Sequence, residues 1–491
     1  MKISALLRKS GIGVTPKAIS QANDFEVKGI TCDSGSVSRG FIFVAIKGAL
    51  CDGRRFLPQA IAKGASAIVL QARYKPIALD KKIIVLSVRD ARLALAKLAA
   101  EFYGNLSRKI KVAGVTGTNG KTTITYLIEE IIRQAGYRPG VIGTINYRFC
   151  NKVIPAKNTT PGPVQLQSLL SDMRKAGCKY CVMEVSSHAL EQARIEGIDF
   201  HSAIFTNLTQ DHLDYHKTLE KYFEAKAKLF RDLPKRAFAV INNDDSYGRR
   251  LKKITRAEVV TYGIEKSSDV RASNLKIKSN GTEFLLEAKG IKAILKIPLI
   301  GIHNVYNVLA AAAWALKAGI GAAVIRKALE DFRGVPGRLE RIPSAAEFSV
   351  FVDYAHTQDA LKNVLGNLRK VCGGRIITVF GCGGDRDKTK RPKMGRTVCS
   401  ISDYAIITSD NPRSERPEKI IADIKRGIST KNFCVIADRR QAILKALFLA
   451  GPGDLVLIAG KGHENYQVIK DRILHFDDRE TVEECLKYLK Y

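Results

Sequence analysis

Short apolar runs alternate with amphipathic helical stretches from about residue 109 to the end of the chain. Such runs are typical of strands buried on both faces of a parallel sheet, and the helical stretches between them are typical of crossover connections. We therefore predict an α/β fold. The predicted strands of this region are 110–116, 180–185, 202–207, 237–242, 350–354, 375–381, 404–409, 433–437 and 454–459.

Changes in this pattern divide the chain into three predicted domains, as a length of 491 residues also suggests. The first, 1–108, is a small α/β domain that contains the apolar run 41–46 and ends in a helix over 90–103. The central domain, 109–335, includes a more alternating stretch at 270–300. A Gly-Val-Pro-Gly turn at 334–337 opens the third domain, 336–491, which we expect to be a second α/β unit.

The charge balance is strongly basic, because 80 Lys and Arg face 48 Asp and Glu, a formal net charge of +32. Such a surplus can indicate a polyanionic partner. Here it is spread along the chain without a basic tail or interleaved aromatic residues, so we expect a solvated surface and no nucleic-acid partner. A basic NTPase that binds nucleic acid stays open as an alternative.

The apolar runs and the cysteines of the sequence indicate where the protein is located and whether its cysteines form disulfides. It contains no run of 18 apolar residues, and Met1 to Ser4 do not open into a signal-peptide core. We expect a cytoplasmic protein that does not insert into membranes. The ten cysteines are scattered. Cys178 and Cys181 form a C-x-x-C pair, but Cys181 begins an apolar run and no second pair lies at zinc-ribbon spacing, so we interpret the cysteines as core residues rather than metal ligands.

A glycine-containing loop between a predicted strand and a predicted helix has the properties of a phosphate-binding loop. Glycines let backbone N–H groups approach phosphates, and the helix N-terminus adds positive potential. In this interpretation Lys121 neutralises the phosphates of ATP and the Thr122 hydroxyl binds Mg²⁺. The loop residues are Gly117, Thr118, Asn119, Gly120, Lys121, Thr122 and Thr123.

Further ligands for Mg²⁺ are expected where neighbouring parallel strands end. Glu184 ends the apolar run that starts at Tyr180, and His212 follows the strand predicted over 202–207. A histidine after a strand is more often a core or capping residue. Its combination with a phosphate loop favours Glu184 and His212 as metal ligands.

Taken together, seven motifs resemble the Mur ligases, the ATP-dependent amide-forming enzymes of peptidoglycan precursor synthesis. The resemblance runs in order along essentially the whole chain. The motifs are GTNGKT at 117–122, EVSSH at 184–188, DHLDYH at 211–216, GIHNVYN at 301–307, PGR at 336–338, DYAHT at 353–357 and GKGHE at 460–464.

The resemblance implies an N-terminal domain for the UDP moiety, a central P-loop ATPase, and a C-terminal Rossmann-like domain for ATP and the incoming amino acid. Within the family, the chain is most similar to the members that add meso-diaminopimelate to UDP-N-acetylmuramoyl-L-alanyl-D-glutamate. These enzymes phosphorylate the glutamyl side-chain carboxylate and let an amine displace phosphate. The implied partners are small molecules, the implied cofactor is Mg²⁺, and we expect a monomer.

The resemblance also assigns residues to the reaction and to ATP. Lys121, His212 and Lys226 are implied as catalytic, and Lys226 matches a lysine that the family carbamylates, so that a cation becomes an anion. The implied metal ligands are Thr122, Glu184, His212 and Lys226. Further ATP contacts are implied at Asn307, Arg338, Asp353 and His356. Asn304 and Asn307 could alternatively cap an apolar helix over 308–316.

For the muramoyl dipeptide, the matching positions are Ser34, Thr159, Thr160, Ser186, Gln192 and Arg194. Thr159 and Thr160 could alternatively be plain turn residues. The family usually carries Arg after the serine at 34, and Gly35 stands here instead.

The positions that match diaminopimelate contacts are Arg386, Asp410, Asn411, Pro412, Arg413, Gly460 and Glu464. The resemblance implies that Arg413 sets the specificity, because a guanidinium can grip the distal carboxylate of diaminopimelate and would repel the ammonium of L-lysine. Glu464 suits an ammonium group. Alternatives are a lysine-adding Mur ligase, which Arg413 disfavours, and folylpolyglutamate synthase, which has no UDP-sugar domain to match 1–108.

Overall fold

A computed structural model describes residues 1–14, 24–48, 51–72, 83–278 and 280–490, without the side chains of Leu213 and Asp214. The chain divides into two compact units. Unit 1 comprises 1–271 and 306–325, and unit 2 comprises 272–305 and 326–491. The predicted domain boundaries at 108 and 335 do not coincide with the bounds of these two units, and the division into three domains stays a prediction.

The N-terminal part of unit 1 is a parallel sheet of four strands in the order β1-β2-β3-β4. Its core joins apolar strand residues such as Ile42 and Val69 to the buried face of α3, which includes Leu95 and Leu98. Asp90 caps α3 by accepting from the N–H groups of Arg92 and Leu93. The elements are α1 (Ile3–Ser10), β1 (Gly29–Thr31), β2 (Phe41–Val44), α2 (Leu57–Ala62), β3 (Ala67–Gln71), β4 (Ile84–Val88) and α3 (Ala91–Phe102).

The rest of unit 1 is built on a larger sheet in the order β12-β11-β10-β5-β9-β6-β7-β8. The strands from β12 to β6 are parallel, and β7 and β8 continue from β6 as antiparallel strands. The elements are β5 (Lys111–Thr116), α4 (Lys121–Gln134), β6 (Pro139–Ile142), β7 (Asn146–Phe149), β8 (Lys152–Pro155), α5 (Pro163–Lys175), β9 (Tyr180–Glu184), α6 (Ser187–Glu191), β10 (Phe200–Phe205), α7 (Leu213–His216), α8 (Leu219–Arg231), β11 (Phe238–Asn242), α9 (Ser246–Ile254) and β12 (Glu258–Gly263).

Strands β5 and β9 lie next to each other in the middle of this sheet, and every residue of β9 is buried. Helix α4 turns Leu127, Ile128, Ile131 and Ile132 into the core, as its apolar spacing predicts. Each such side chain contributes about 1.5–3 kcal/mol of burial free energy. This packing fixes the start of α4, where the phosphate loop ends.

The stretch in which the chain passes between the units contains β13 (Val270–Lys278), β14 (Gly281–Ala288), β15 (Ile291–Ile297), α10 (Ile302–Lys317) and α11 (Ala322–Glu330). In unit 2, β14 and β15 pair as an antiparallel hairpin, from Thr282 opposite Ile297 to Ala288 opposite Ile291. Helix α10 begins at Ile302, so both Asn304 and Asn307 lie inside it. The alternative in which Asn307 caps a helix over 308–316 is therefore wrong.

The remainder of unit 2 is a six-stranded sheet in the order β16-β17-β21-β18-β19-β20, parallel except for β16. Two apolar clusters, one on each side, cover it. The elements are β16 (Glu340–Ile342), β17 (Ser349–Asp353), α12 (Gln358–Arg369), β18 (Ile376–Phe380), α13 (Lys390–Ile401), β19 (Tyr404–Ile407), α14 (Pro417–Lys425), β20 (Phe433–Val435), α15 (Arg439–Leu449), β21 (Leu455–Ala459), β22 (Tyr466–Ile469), β23 (Arg472–His475) and α16 (Asp478–Tyr488).

The α/β fold is confirmed, and each predicted strand is present with ends shifted by at most two residues. The hairpins β7-β8 and β22-β23 were not predicted. Their strands have exposed polar positions and no long apolar run. Of the helices that the structure describes, none has both the length and the apolar character to span a membrane.

Candidate active site

The predicted phosphate loop connects β5 to α4 and is shaped by two glycines with positive φ, Gly117 at 144° and Gly120 at 88°. A Cβ atom on Gly117 would lie 1.9 Å from the Thr206 hydroxyl oxygen, and one on Gly120 would lie 2.3 Å from Asn307 Oδ1. Only glycine fits at these positions. The second contact brings Asn307, a predicted ATP contact, against the loop.

Two residues that directly follow β10, Thr206 and Asn207, hold this loop. The N–H of Thr118 donates to the carbonyl of Asn207 at 2.8 Å, and the N–H of Asn119 donates to Asn207 Oδ1 at 3.1 Å. The Thr206 hydroxyl donates to the Asn119 carbonyl at 2.6 Å. The loop is thus tied to the end of β10 and preorganised for an anion at the N-terminus of α4.

Thr122 and Glu184, two predicted metal ligands, are in contact. The Thr122 hydroxyl donates to Glu184 Oε1 at 3.0 Å. Glu184 is only 1% exposed, and Thr144 donates to it through its N–H at 2.8 Å and its hydroxyl at 2.9 Å. These bonds supply the partners that a buried carboxylate requires. They also fix its orientation toward Thr122.

Lys226 lies in the middle of α8 and is buried, although a lysine in an amphipathic helix usually reaches solvent. Its Nζ donates to the carbonyl of Gly117 at 2.8 Å and lies 4.4 Å from the centre of the Tyr222 ring. Burial, and then the positive charge of Lys121, hold the pKa of Lys226 well below its usual range. The predicted carbamylation site thus lies at the phosphate loop.

His212 lies outside the Thr122–Glu184 pair, in a group of aromatic rings. Its φ is 53°, and its ring packs edge-on against His188 at 5.1 Å between centroids. Its Nε2 lies 3.6 Å from Asp211 Oδ2, with about half of each side chain exposed. Among the described residues, no three or more His, Cys, Asp or Glu side chains are arranged to hold a metal ion.

Four of the residues predicted for the muramoyl dipeptide form a hydrogen-bonded chain beside Glu184. Thr160 donates its hydroxyl to the Glu184 carbonyl at 2.8 Å and accepts from the Ser186 N–H at 3.0 Å. Arg194 donates to the carbonyl of Thr160 at 3.0 Å and to Gln192 Oε1 at 2.8 Å. Burial lowers the pKa of Arg194. Thr159 joins this group through Thr144, because their hydroxyl oxygens are 3.1 Å apart.

Ser34 lies in the N-terminal sheet region, after β1. It is buried, and its hydroxyl donates to Gln59 Oε1 at 2.7 Å. The next residue, Gly35, accepts at its carbonyl from Lys63 Nζ at 2.6 Å. A lysine ammonium therefore lies beside the position where the family usually carries an arginine.

The end of β17 in unit 2 brings together three predicted ATP contacts, Arg338, Asp353 and His356. Asp353 is buried and accepts from the N–H groups of Leu339 at 2.6 Å and Ala355 at 2.7 Å. Burial raises the pKa of Asp353, while Arg338 opposes the rise. The guanidinium of Arg338 lies over the ring of Tyr354 at 5.0 Å, and His356 Nδ1 is 2.8 Å from the Tyr354 carbonyl.

The residues predicted for the amino acid also converge in unit 2, after β19 and β21. Asn411 is buried and donates its amide to Glu464 Oε2 at 2.8 Å. A Cβ on Gly460, whose φ is 119°, would lie 2.7 Å from Asp410 Oδ2. Burial, and then the charge of Asp410, raise the pKa of Glu464.

Arg413 has a φ of 52° and is held on two sides. Its N–H donates to the carbonyl of Val468 in β22 at 3.0 Å, and its Nη1 donates to the carbonyl of Gly384 at 2.8 Å. The neighbouring Pro412 approaches the same glycine so closely that a Cβ on Gly384 would lie 1.9 Å from its carbonyl oxygen. Arg386 is exposed on the loop that contains Gly384.

Two residues that the sequence analysis missed support these groups. Thr144 orients Glu184, and Lys461, whose side chain is fully buried, donates to the carbonyl of Tyr466 and lies 3.4 Å from Asn411 Oδ1. Lys461 is part of the quoted GKGHE motif, so that motif was a signal for it. Thr144 lies in a turn between β6 and β7 and carries no comparable signal.

Three family models match the chain in order: "Mur ligase family, catalytic domain" at 26–103, "Mur ligase middle domain" at 115–315, and "Mur ligase, glutamate ligase domain" at 337–462. The chain belongs to the Mur ligase family. It is therefore an ATP-dependent amide ligase, and the resemblance drawn from the motifs is confirmed.

Relatives within the family are similar over nearly their full length. The chain is 45% identical to the UDP-N-acetylmuramoyl-L-alanyl-D-glutamate–2,6-diaminopimelate ligase of Clostridium botulinum over 467 residues, covering 95% of this chain and 96% of the relative. It is 47% identical to the same-named ligase of Aquifex aeolicus over 461 residues, covering 94% of each. A solved structure of a ligase with this name is 34% identical, with a TM-score of 0.70, covering 98% of this chain and 100% of its own.

Proposed function

We propose that this chain joins meso-diaminopimelate to UDP-N-acetylmuramoyl-L-alanyl-D-glutamate and converts ATP to ADP and phosphate. One observation carries the choice of amino acid. Asn411 donates to the carboxylate of Glu464, and two residues further Arg413 brings a guanidinium to the same strand end. Diaminopimelate ends in a carbon that bears both an ammonium and a carboxylate, so a site with both signs of charge suits it.

The reaction needs an activated acyl group, because a carboxylate is a poor acyl donor. In the proposed first step the glutamyl side-chain carboxylate attacks the γ-phosphorus of ATP, the bond to the β-phosphate breaks, and ADP leaves. The amine then attacks the acyl phosphate, phosphate departs with the bonding electrons, and the nitrogen loses a proton. Positioning and charge neutralisation supply most of the catalysis, since two anions must meet.

Several residues of unit 1 meet this demand. Lys121 begins α4 and would neutralise the phosphates, while the N–H groups of the phosphate loop would surround them. Thr160, Ser186 and Arg194 offer hydroxyls and a guanidinium, the groups that hold carboxylates. We assign them and Thr159, Gln192 and Ser34 to the UDP-linked dipeptide.

Mg²⁺ fits the donor set at the phosphate loop. Thr122 and Glu184 present a hydroxyl and a carboxylate 3.0 Å apart, and Mg²⁺ is usually held by one or two such oxygens together with substrate phosphates and water. Bound there, Mg²⁺ would neutralise phosphate charge. We assign Thr122 and Glu184 to it, with His212 and a carbamylated Lys226 as further ligands from neighbouring positions.

The other assignments complete the proposal. Asn307, Arg338, Asp353 and His356 are proposed ATP contacts, and Arg386, Asp410, Asn411, Pro412, Gly460 and Glu464 join Arg413 in holding diaminopimelate. We propose a three-domain organisation over 1–108, 109–335 and 336–491, and a cytoplasmic monomer without a nucleic-acid partner.

The test is a phosphate-release assay with ATP, Mg²⁺ and the UDP-linked dipeptide, in which meso-diaminopimelate, L-lysine and D-glutamate are compared. We expect phosphate release only with the dipeptide present and mainly with diaminopimelate. Equal turnover with L-lysine would contradict the choice of amino acid. Stimulation by RNA or DNA in the absence of the dipeptide would support the nucleic-acid-binding alternative.

A further inference from the structure

Two loops in unit 2 carry the two arginines assigned to the amino acid. The first loop, 381–387, carries Arg386, and the second, 409–415, carries Arg413. The loops follow the adjacent parallel strands β18 and β19, so both emerge at the same edge of the sheet. The binding of a ligand by both guanidinium groups therefore depends on how these loops are placed relative to each other.

Backbone and side-chain bonds join the two loops directly. Gly384 donates its N–H to the carbonyl of Asn411 at 2.9 Å, and its own carbonyl accepts from Arg413. Further out, the Ser414 hydroxyl donates to Asp385 Oδ1 at 2.6 Å. Arg413 therefore bridges the loops itself, and Arg386 directly follows Asp385, which accepts one of the bridging bonds.

Arg391, in the first turn of α13, lies beneath these loops with a fully buried side chain. Its guanidinium grips Glu415 with two bonds, Nη2 to Oε1 at 2.8 Å and Nη1 to Oε2 at 3.0 Å. Nη1 also donates to Asp423 Oδ2 at 2.9 Å, and Nη2 lies 3.4 Å from the carbonyl of Gly383. A single side chain thus contacts both loops and α14.

Glu415, on the second loop, links Arg391 to the first loop. Its Oε1 accepts not only from Arg391 but also from the N–H of Asp385 at 2.7 Å. Asp385 precedes Arg386, and Glu415 follows Arg413 by two positions. The carboxylate is oriented by a planar fork with five donors, which the single ammonium of a lysine cannot reproduce.

We propose that Arg391 is a positioning residue for amino-acid selection, which acts through Glu415 to fix Arg413 and Arg386 relative to each other. This rests on the proposed function, since it assumes that these two arginines grip the carboxylates of diaminopimelate. The side chain of Arg391 has no exposed surface, so we assign it an indirect role rather than a contact with the amino acid. Its loss would loosen the grip on the amino acid and leave ATP and the UDP-linked dipeptide bound as before.

The test compares Arg391→Lys with Arg426→Met. Arg426 is a matched control because it donates to the same Asp423, at 2.9 Å, from an exposed position away from both loops. We expect Arg391→Lys to raise KM for diaminopimelate about tenfold or more, with KM for ATP and for the dipeptide changed less than about twofold. The preference for diaminopimelate over L-lysine should fall, and Arg426→Met should change none of these values.

A second variant keeps the positioning role testable if Arg391→Lys does not fold. Ser414 is exposed, so Ser414→Ala removes one bridge between the loops without opening the core. We expect it to raise KM for diaminopimelate about threefold, again selectively, with an unchanged melting temperature.

The outcomes separate the proposals. If the wild-type enzyme turns over diaminopimelate but a folded Arg391→Lys raises all three KM values alike, or none, the positioning role is wrong. If Arg391→Lys does not fold, the Ser414→Ala variant tests the positioning role instead. A KM for diaminopimelate of Ser414→Ala within about twofold of the wild-type value would overturn that role. If the wild-type enzyme itself releases no phosphate with diaminopimelate, the proposed function fails instead.

Discussion

Lys121 and Lys226 donate to the same carbonyl oxygen, that of Gly117, at 3.0 and 2.8 Å. Two ammonium groups at one oxygen repel each other, and the burial of Lys226 adds to the cost of its charge. An amine in such a place favours its neutral form, which is the form that reacts with CO₂. The geometry therefore supports the proposed carbamylation, which would replace one of two like charges by an anion.

Lys226→Ala is expected to abolish turnover, because the carbamate oxygens would be lost. Addition of a short carboxylic acid such as acetate should restore part of the activity. Phosphate release measures both effects. Lys228→Ala is the control, because Lys228 lies on the same helix but is partly exposed and reaches Glu191. An active wild-type enzyme without a carbamate signal in ¹³C NMR would contradict the role.

Glu184→Gln should raise the Mg²⁺ concentration needed for half-maximal activity. The substitution keeps the size of the side chain and removes its charge beside Thr122. Mutations of residues around a metal site typically reduce metal affinity about 10- to 100-fold. Titration of activity with Mg²⁺ at saturating ATP measures this. Glu191→Gln, at the end of α6, should leave the titration unchanged, and an unaltered titration of Glu184→Gln would refute the assignment.

Arg413→Met should lower kcat/KM for diaminopimelate about 10- to 150-fold, since a hydrogen bond to a charged group contributes about 1.5–3 kcal/mol. Turnover of L-lysine should not fall, because no carboxylate of that substrate would meet the guanidinium. The two amino acids are compared in the phosphate-release assay. Arg416→Met is the control, with a side chain that is 86% exposed. Equal losses for both amino acids would argue against Arg413 as the selective group.

Lys63→Ala tests the N-terminal region, where Gly35 replaces the arginine usual in the family. Lys63 Nζ lies 2.6 Å from the Gly35 carbonyl, so its charge is available beside Ser34 for the diphosphate of the UDP moiety. We expect KM for the UDP-linked dipeptide to rise about tenfold, with KM for ATP unchanged. Lys2→Ala, which alters a lysine bonded to the Asp24 carbonyl, is the control. An unchanged KM would exclude Lys63 from the diphosphate site.

The sequence predicted the parts of this structure that depend on local pattern. The apolar run ending at Glu184 and the glycines of the phosphate loop are local signals, because burial and positive φ constrain the residue types directly. Contacts between distant residues carry no such signal. Arg391 lies among Lys388, Lys390 and Lys393, which is typical of an exposed basic surface, yet the fold buries it against Glu415. Lys226 was predicted only because its motif resembles that of a known family.

Acid should weaken unit 2 through Glu415. Hydrogen bonds from Arg391, and then from the N–H of Asp385, lower the pKa of Glu415 from 4.5 to about 2. Between these pH values the unfolded chain binds a proton that the folded chain does not, so stability falls as the pH falls. Glu415→Gln lacks this dependence. It should be less stable than wild type at about pH 6, and the difference should shrink as the pH approaches about 3.

Urea unfolding midpoints of wild type and Glu415→Gln across this pH range measure the difference. Glu418→Gln is the control, because Glu418 is 67% exposed and its contact with Arg416 is 3.7 Å long. Exposed pairs of this kind contribute about 0–1 kcal/mol, so its difference from wild type should stay small at every pH. A Glu415→Gln difference that stays constant or grows toward low pH would mean that Glu415 is not ionised in its contact with Arg391. The two bonds from Arg391 to Glu415, on which the positioning role rests, would then be lost as well, because a protonated carboxyl cannot accept both bonds as a carboxylate does.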